Sequence, residues 1–344
     1  MKSSPAEVRN ILLIRTDRIG DVVLSLPMLP VLKKHFPKAS ITMMVRKYTR
    51  ELVERHSCVS DIVQWDDDGE RTLSEYVKIV KQRSFDIAIV PYPRFILALI
   101  IYLAGIPVRV GTGYRWYSFL FNHKVYEHRK DAKRHEVEYN LNLLKAIGIE
   151  NTGTADFELD ISADVQQKID EMLSKDSMNT FVVLHVGSGG SARDWSLQNF
   201  AALGDRIRND LQCNVILTGG ESEKSLVASV VSNMKTSPVN YTGLFSLVEL
   251  GALFKRASAF VSNSTGPLHI AAAVGTPVIG FYPPILQCSA VRWGPYTNKK
   301  KVFTADSARC PLCKGGACQS NVCMDQITVD QVFHAVQEHV NEHR

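Results

Sequence analysis

The chain alternates short unbroken apolar runs with longer stretches in which apolar residues recur every three or four positions. A run of four or five consecutive apolar residues fits a strand buried on both faces, and the longer period fits an amphipathic helix. In the first half this reading gives strands at 11–15, 41–45, 62–65 and 86–90 and helices at 22–36, 46–56 and 73–83, with Gly20-Asp21 as the turn after the first strand. The longest apolar run, Phe95 to Val108, is too short to span a bilayer and is interrupted by Gly105 and Pro107, so it is expected to be a core helix ending in a turn. A further helix is expected over 136–147. Residues 148–163 lose the helical period and gather Gly, Thr and Asn, which marks a linker.

Beyond a helix at 164–174 the alternation restarts, with strands at 180–186, 214–218, 239–242, 260–261 and 278–281 and helices at 196–209, 223–234, 247–256 and 266–274. Strands alternating with helices of this length imply parallel sheets covered on both faces. The predicted architecture is therefore α/β, two Rossmann-like doubly wound domains over 1–160 and 161–344, facing a cleft. A length of 344 residues suits two domains, and ligands of such sheets bind at the carboxyl ends of the strands.

Composition changes this picture little. Apolar content of 45% and charged content of 22% are ordinary globular values. The first 21 residues contain only four consecutive apolar residues before Arg15 and no secretory h-region, so a cytoplasmic protein is expected. A net charge of +5 is too weak to argue for nucleic acid but suits anionic substrates or an anionic membrane surface. The segment from Arg109 to Arg134 interleaves Arg, Lys and His with Tyr, Trp and Phe. It reads either as a solvated face or as a lip for a phosphorylated lipid or sugar, with Arg115 and Lys124 as acceptor-side cations.

Candidate chemistry gathers at the expected strand ends. In Asn263-Ser264-Thr265-Gly266-Pro267, turn and N-cap residues precede a first-turn proline, and His269 follows in the first helical turn. Such a helix start directs backbone N–H groups at an anion, and the expected ligand is phosphate or pyrophosphate. Gly187 to Trp195, Thr218-Gly219-Gly220 and Thr242-Gly243 supply three more polar or glycine-rich turns, which together would floor a nucleotide site with backbone amides. Ser188 lies in the first of these, and Arg193 adds a guanidinium able to fork onto phosphate, unless it only pairs with Asp194. Glu223 serves equally well as a helix cap or a ribose ligand. In the first half, Arg15 to Asp21 fills the first βα turn without a G-x-G-x-x-G fingerprint, which lowers a dehydrogenase reading. Asp21 is either an N-cap or a general base facing an acceptor hydroxyl, Asp17 is the competing carboxylate, and Arg18 is a nearby cation. Cys310, Cys313, Cys318 and Cys323 have metal-like spacing; they could hold a structural zinc or remain free or redox-labile thiols.

Several of these segments resemble glycosyltransferase family 9, the lipopolysaccharide heptosyltransferase family: IRTDRIGDVVLSLPMLPVLKKHFP, HEVEYNLNLLKAIGI, HVGSGGSARDWSLQNFAAL, LTGGESEK and SNSTGPLHIAAAVGTPVIGFY, with the ending from Cys323-Met324 to Val332. The resemblance implies the GT-B architecture and an inverting displacement at the anomeric carbon of an ADP-sugar. In that reading Asp21 is the base, and Arg193 stands where the family commonly has a lysine that steadies the diphosphate. Thr265, Gly266 and His269 line the phosphate site, and Glu223 the ribose. Ser264 stands where many members carry an aspartate implicated in donor binding. It further implies catalysis without a metal cofactor, a lipopolysaccharide inner-core acceptor and work at the inner face of the cytoplasmic membrane. A nucleotide-sugar epimerase of the same architecture and a non-catalytic nucleotide-sugar-binding protein are the competing readings.

Overall fold

In the computed structural model, which describes residues 8–65, 71–150, 155–306 and 323–342, the strand Asn10–Ile14 (β1) is buried along almost its whole length. It hydrogen-bonds in parallel to both Ser40–Arg46 (β2) and Ile87–Ile89 (β4), so its side chains meet helices on both faces, as an unbroken apolar run requires. Asp61–Trp65 (β3) pairs outside β2, and Val108–Thr112 (β5) and His123–Val125 (β6) continue beyond β4. The order is β3-β2-β1-β4-β5-β6, a doubly wound sheet whose switch point lies between β1 and β4. The helices are Ile19–Val23 (α1), Met28–His35 (α2), Leu73–Gln82 (α3), Phe95–Leu103 (α4) and Glu136–Asn142 (α5). α3 starts in a capping box: Thr72 accepts from the Glu75 N–H and the Glu75 carboxylate accepts from the Thr72 N–H.

The second unit opens with Ala163–Lys175 (α6) and repeats the scheme. Its strands are Phe181–His185 (β7), Asn214–Thr218 (β8), Val239–Asn240 (β9), Ala259–Asn263 (β10), Val278–Tyr282 (β11) and Lys300–Thr304 (β12). The helices are Leu197–Asp210 (α7), Lys224–Asn233 (α8), Leu247–Arg256 (α9), Gly266–Ala273 (α10), Ala290–Trp293 (α11) and Val329–Glu342 (α12). All pairings are parallel in the order β12-β11-β10-β7-β8-β9, so the strands, counted within the unit, form a doubly wound sheet like the first. One core packs Trp195, Phe200 and Phe281 against α7 and α12. The chain divides into units Met1–Arg129 with Arg134–Asp160, and Lys130–Lys133 with Ile161–Arg344.

The structure departs from the sequence expectations in identifiable places. Gly20 and Asp21 are not a turn but the first turn of α1, and the expected helix over 22–36 is broken. Ahead of Pro27, which has no N–H to give, Ser25 and Leu26 bond to Val22 and Val23 in tight i to i−3 steps, and a new helix starts at Met28. Residues Lys47–Leu52 are 3₁₀ rather than α, as are Leu143–Ile147 after α5. The strands β5, β6 and β12 were not expected; β6 and β12 are lysine-bearing edge strands with no continuous apolar run. Among the described residues no helix is long and apolar enough to cross a membrane.

Candidate active site

At the carboxyl end of β1 the buried strand delivers Arg15 into the interior, where its side chain is 1% exposed. Burial works against the charge, but the carboxylates of Asp17, Asp21 and Glu136 hold the guanidinium's proton more firmly than usual. Nη2 donates to Asp21 Oδ1 at 2.6 Å and lies 3.4 Å from Glu136 Oε1, while Nε faces Asp17 Oδ1 at 3.0 Å. Glu136 and Asn140 lie one turn apart on α5 and so share the face turned to Arg15, which explains the spacing within the HEVEYN segment. Nη1 donates to Asn140 Oδ1 at 3.4 Å, and Asn140 Nδ2 reaches back to the Leu24 carbonyl at 2.9 Å. Arg129 closes the cluster on Glu136 and on Asn140 Oδ1, the latter at 3.1 Å.

This network fixes Asp21 on the first turn of α1, half-buried, with one oxygen tied to Arg15. Its side chain does not cap α1, whose N-cap residue is Arg18. Asp17 is pushed up to about 7, first by burial and then by the charge and hydrogen bond of Asp21, against the pull of Arg15. Tyr48 donates to the Asp17 carbonyl at 2.7 Å and Arg46 to the Thr16 carbonyl at 2.6 Å, so both stand over the same loop. Sequence reading named Asp21, Asp17 and Arg18 but missed Arg15, Glu136 and Asn140; an arginine closing a fully apolar strand was the signal for them. Arg115, in the loop after β5, and Lys124, on β6, are exposed and belong to the far side of the same sheet. β6 is three strands from β1, roughly 14 Å at ordinary strand spacing.

In the second unit the four glycine-rich turns follow β7, β8, β9 and β10 and lie at one sheet edge, with Ser188, Arg193, Gly219, Glu223, Ser264, Thr265, Gly266 and His269 among them. The Glu223 carboxylate accepts the Gly189 N–H at 3.1 Å and the Gly220 N–H at 2.7 Å, which ties the β7 loop to the β8 loop. Gly187 makes room for it: a Cβ there would sit 1.8 Å from Glu223 Oε1. His185, buried at the end of β7, meets Thr218 Oγ1 at 3.0 Å, and burial lowers it to about 4. It is therefore neutral near pH 7, and its 3.9 Å approach to Glu223 is not an ion pair. Asn263 staples the switch point, donating to the Val186 carbonyl and accepting the Trp195 N–H, each at 2.8 Å. Asp194 turns its carboxyl to Ser188. Arg193 and Arg292 both face the Cys288 thiol, so a second guanidinium that the sequence did not suggest lies by the same loops. Thr265 is the N-cap of α10, with Pro267 in its first turn, and His269 is buried. Ser264 hydrogen-bonds Tyr282.

The profile of glycosyltransferase family 9 (heptosyltransferase) matches residues 74–322, well over half of the chain. The chain belongs to glycosyltransferase family 9 and is a glycosyltransferase. A Haemophilus influenzae protein named provisionally as a glycosyltransferase is 27% identical over 338 residues, covering 95% of each chain. Lipopolysaccharide heptosyltransferase 3 of Escherichia coli K12 is 24% identical over 299 residues, 83% of this chain and 85% of the relative. The solved structure of E. coli ADP-heptose lps heptosyltransferase II has the same fold, with a TM-score of 0.81 at 21% identity over 97% of this chain and 99% of that one. The GT-B expectation thus holds for the fold.

Two groups bear on metal. Cys310, Cys313 and Cys318 lie outside the described residues, and Cys323 is buried just before α12. In the first unit His56, Cys58 and Glu158 bring ligand-type atoms within 4.8 Å of one another. Protein partners already engage them: Glu158 accepts from the Ser57 N–H and hydroxyl at 3.0 and 2.8 Å, and His56 Nδ1 accepts the Cys58 N–H at 3.1 Å.

Proposed function

We propose that this family 9 enzyme transfers heptose from ADP-heptose to a lipopolysaccharide inner-core acceptor in one displacement that inverts the anomeric centre. The observation that carries the reading is the Asp21 carboxylate, tied through one oxygen to the buried Arg15 at the switch point of the first sheet. A carboxylate oriented in this way can take the proton of an acceptor hydroxyl as that oxygen attacks the anomeric carbon. The bond from that carbon to the phosphate oxygen breaks, and ADP leaves with the electron pair. Arg193 and the amide-bearing start of α10 are the groups suited to meet the charge that develops on the diphosphate. The donor preference is supported by the names of the family relatives and by the anion-binding character of the second unit's sheet edge. Arg18, Arg115 and Lys124 suit a phosphorylated acceptor at the cytoplasmic face of the membrane.

The test is transfer from ADP-heptose to an inner-core acceptor, with calorimetry of ADP, UDP and GDP alongside. Asp21→Asn is expected to lower turnover roughly 10²- to 10⁴-fold while ADP affinity stays within about twofold. Near-wild-type turnover in that variant would remove Asp21 from the role of base, and selective binding of UDP or GDP would sink the donor assignment.

A further inference from the structure

Among the described residues, thirteen large hydrophobic side chains are exposed, and eight of them fall in the segment from Tyr92 to Tyr126. Four lie in the segments that follow β4 and β5: Tyr92 at 45% exposure, Phe95, the first residue of α4, at 40%, Trp116 at 74% and Phe119 at 66%. They stand on a rigid base. Phe95 stacks on Trp116 with centroids 4.9 Å apart, and both rings meet buried Tyr117 at 5.7 and 5.4 Å. The Tyr117 hydroxyl in turn donates to the Pro93 carbonyl at 2.6 Å. Even so, Trp116 and Phe119 keep most of their surface in water, and exposed aromatics gathered along one stretch of chain mark an interaction site.

The charge pattern says what would cover them. Between Asp86 and Glu127 the chain has no carboxylate and four cations, Arg94, Arg109, Arg115 and Lys124. Arg115 and Lys124 are exposed. A second copy of this chain packed on a two-fold axis would set these cations against themselves with no acid in the segment to balance them. Tryptophan, tyrosine and phenylalanine fringed by cations match the interface of a bilayer with anionic headgroups. We propose that the first unit docks on an anionic lipid surface through Tyr92, Phe95, Trp116 and Phe119, with Arg115 and Lys124 meeting the headgroups. The β4 and β5 loops lie at the same sheet edge as Asp21, and β4 is next to β1, so docking brings a lipid-borne acceptor to the edge that carries the carboxylate. That last step deepens the transferase reading and rests on it; vesicle binding does not.

The experiment uses the full chain with phosphatidylcholine vesicles, with and without phosphatidylglycerol, read by co-sedimentation and by tryptophan emission. Trp65 and Trp195 are buried and Trp293 is half-buried in the second unit, so the part of the blue shift that the Trp116→Ala/Phe119→Ala variant removes is expected to report Trp116. Wild type is expected to bind vesicles containing phosphatidylglycerol at least tenfold more tightly than neutral ones. The Trp116→Ala/Phe119→Ala double variant is expected to lose at least tenfold of that affinity while keeping wild-type unfolding and ADP binding. Arg115→Ser/Lys124→Ser should weaken binding to anionic vesicles only. Failure of wild type to bind either vesicle, equal binding by the double variant, or a concentration-dependent dimer abolished by that variant would each overturn the proposal. Transfer to a delipidated acceptor without vesicle binding would sink the docking and leave the transferase reading intact. Vesicle binding without any transfer would do the reverse.

Discussion

Asp17→Asn is the perturbation whose outcome the structure fixes most sharply. The Asp17 carboxyl rises from 3.8 to about 7 in the folded chain, chiefly through burial and then through Asp21. A raised carboxyl binds its proton more tightly when folded, so its stabilising contribution is complete below pH about 4 and is lost as pH rises through 7. At about 1.4 kcal/mol for each tenfold gain in proton affinity, a rise of this size sets an upper scale of about 4 kcal/mol, of which about 3 kcal/mol falls between about pH 5 and 8. For a unit of this size that corresponds to a midpoint change on the order of 6–10 °C. His185 acts in the opposite sense. Lowered to about 4, it favours the unfolded state's protonation between its own value and 6.5, so stability rises with pH in that window. The wild-type profile alone can therefore be flat, and the informative quantity is variant minus wild type. Asparagine has no proton to lose, so this difference should grow in favour of Asp17→Asn from about pH 5 to 8. Arg15, Arg18, Arg46, Tyr48, Asp21 and Glu136 surround the site in both proteins and cancel to first order. Scanning fluorimetry and urea unfolding across this pH range measure the difference, and a pH-independent difference would refute the reasoning.

Gly187→Ala should push the Glu223 carboxylate off the Gly189 and Gly220 amides, because the new Cβ would sit 1.8 Å from its oxygen. A loss of about 1–3 kcal/mol in urea unfolding and weaker ADP binding by calorimetry are expected together. Asn263→Ala removes two buried hydrogen bonds that join β10 to the β7 loop, with an expected cost of about 2–3 kcal/mol and a faster exchange of the Trp195 amide. Arg15→Met leaves the Asp21 and Glu136 carboxylates without their buried cation and should cost about 3–5 kcal/mol in the first unit's unfolding transition, with Glu136→Gln on the same background restoring part of it.

The sheets were legible because a strand buried on both faces leaves an uninterrupted apolar run, as 11–14 and 181–184 do. Edge strands β6 and β12 were not, since lysines that keep an edge soluble also erase that pattern. The glycine-rich turns were visible as motifs, but their work was not: Glu223 reads as a helix-start acid, and only the fold shows it bridging two loops. Asp21 was visible and its support was not, because Arg15, Glu136 and Asn140 come together only through α5 packing against the end of β1. Aromatic and basic residues between 109 and 134 stood out in the sequence, whereas Phe95 opened the run expected to be a core helix, and only the structure shows it exposed beside Tyr92.

The partners of Arg15 on α5 are 121 and 125 residues away along the chain. During synthesis, β1 can pair with β2 and β4 long before those partners exist, so the sheet can form while a guanidinium in its interior still lacks two of its hydrogen-bond acceptors. The geometry around Asp21 is thus one of the last things the first unit acquires, contributed by a long-range contact that closes after the sheet is built. A nascent chain halted before residue 136 would hold Asp21 and Arg15 without the Glu136 and Asn140 side chains that complete their network. The surroundings of Asp21 are completed only when a single helix arrives.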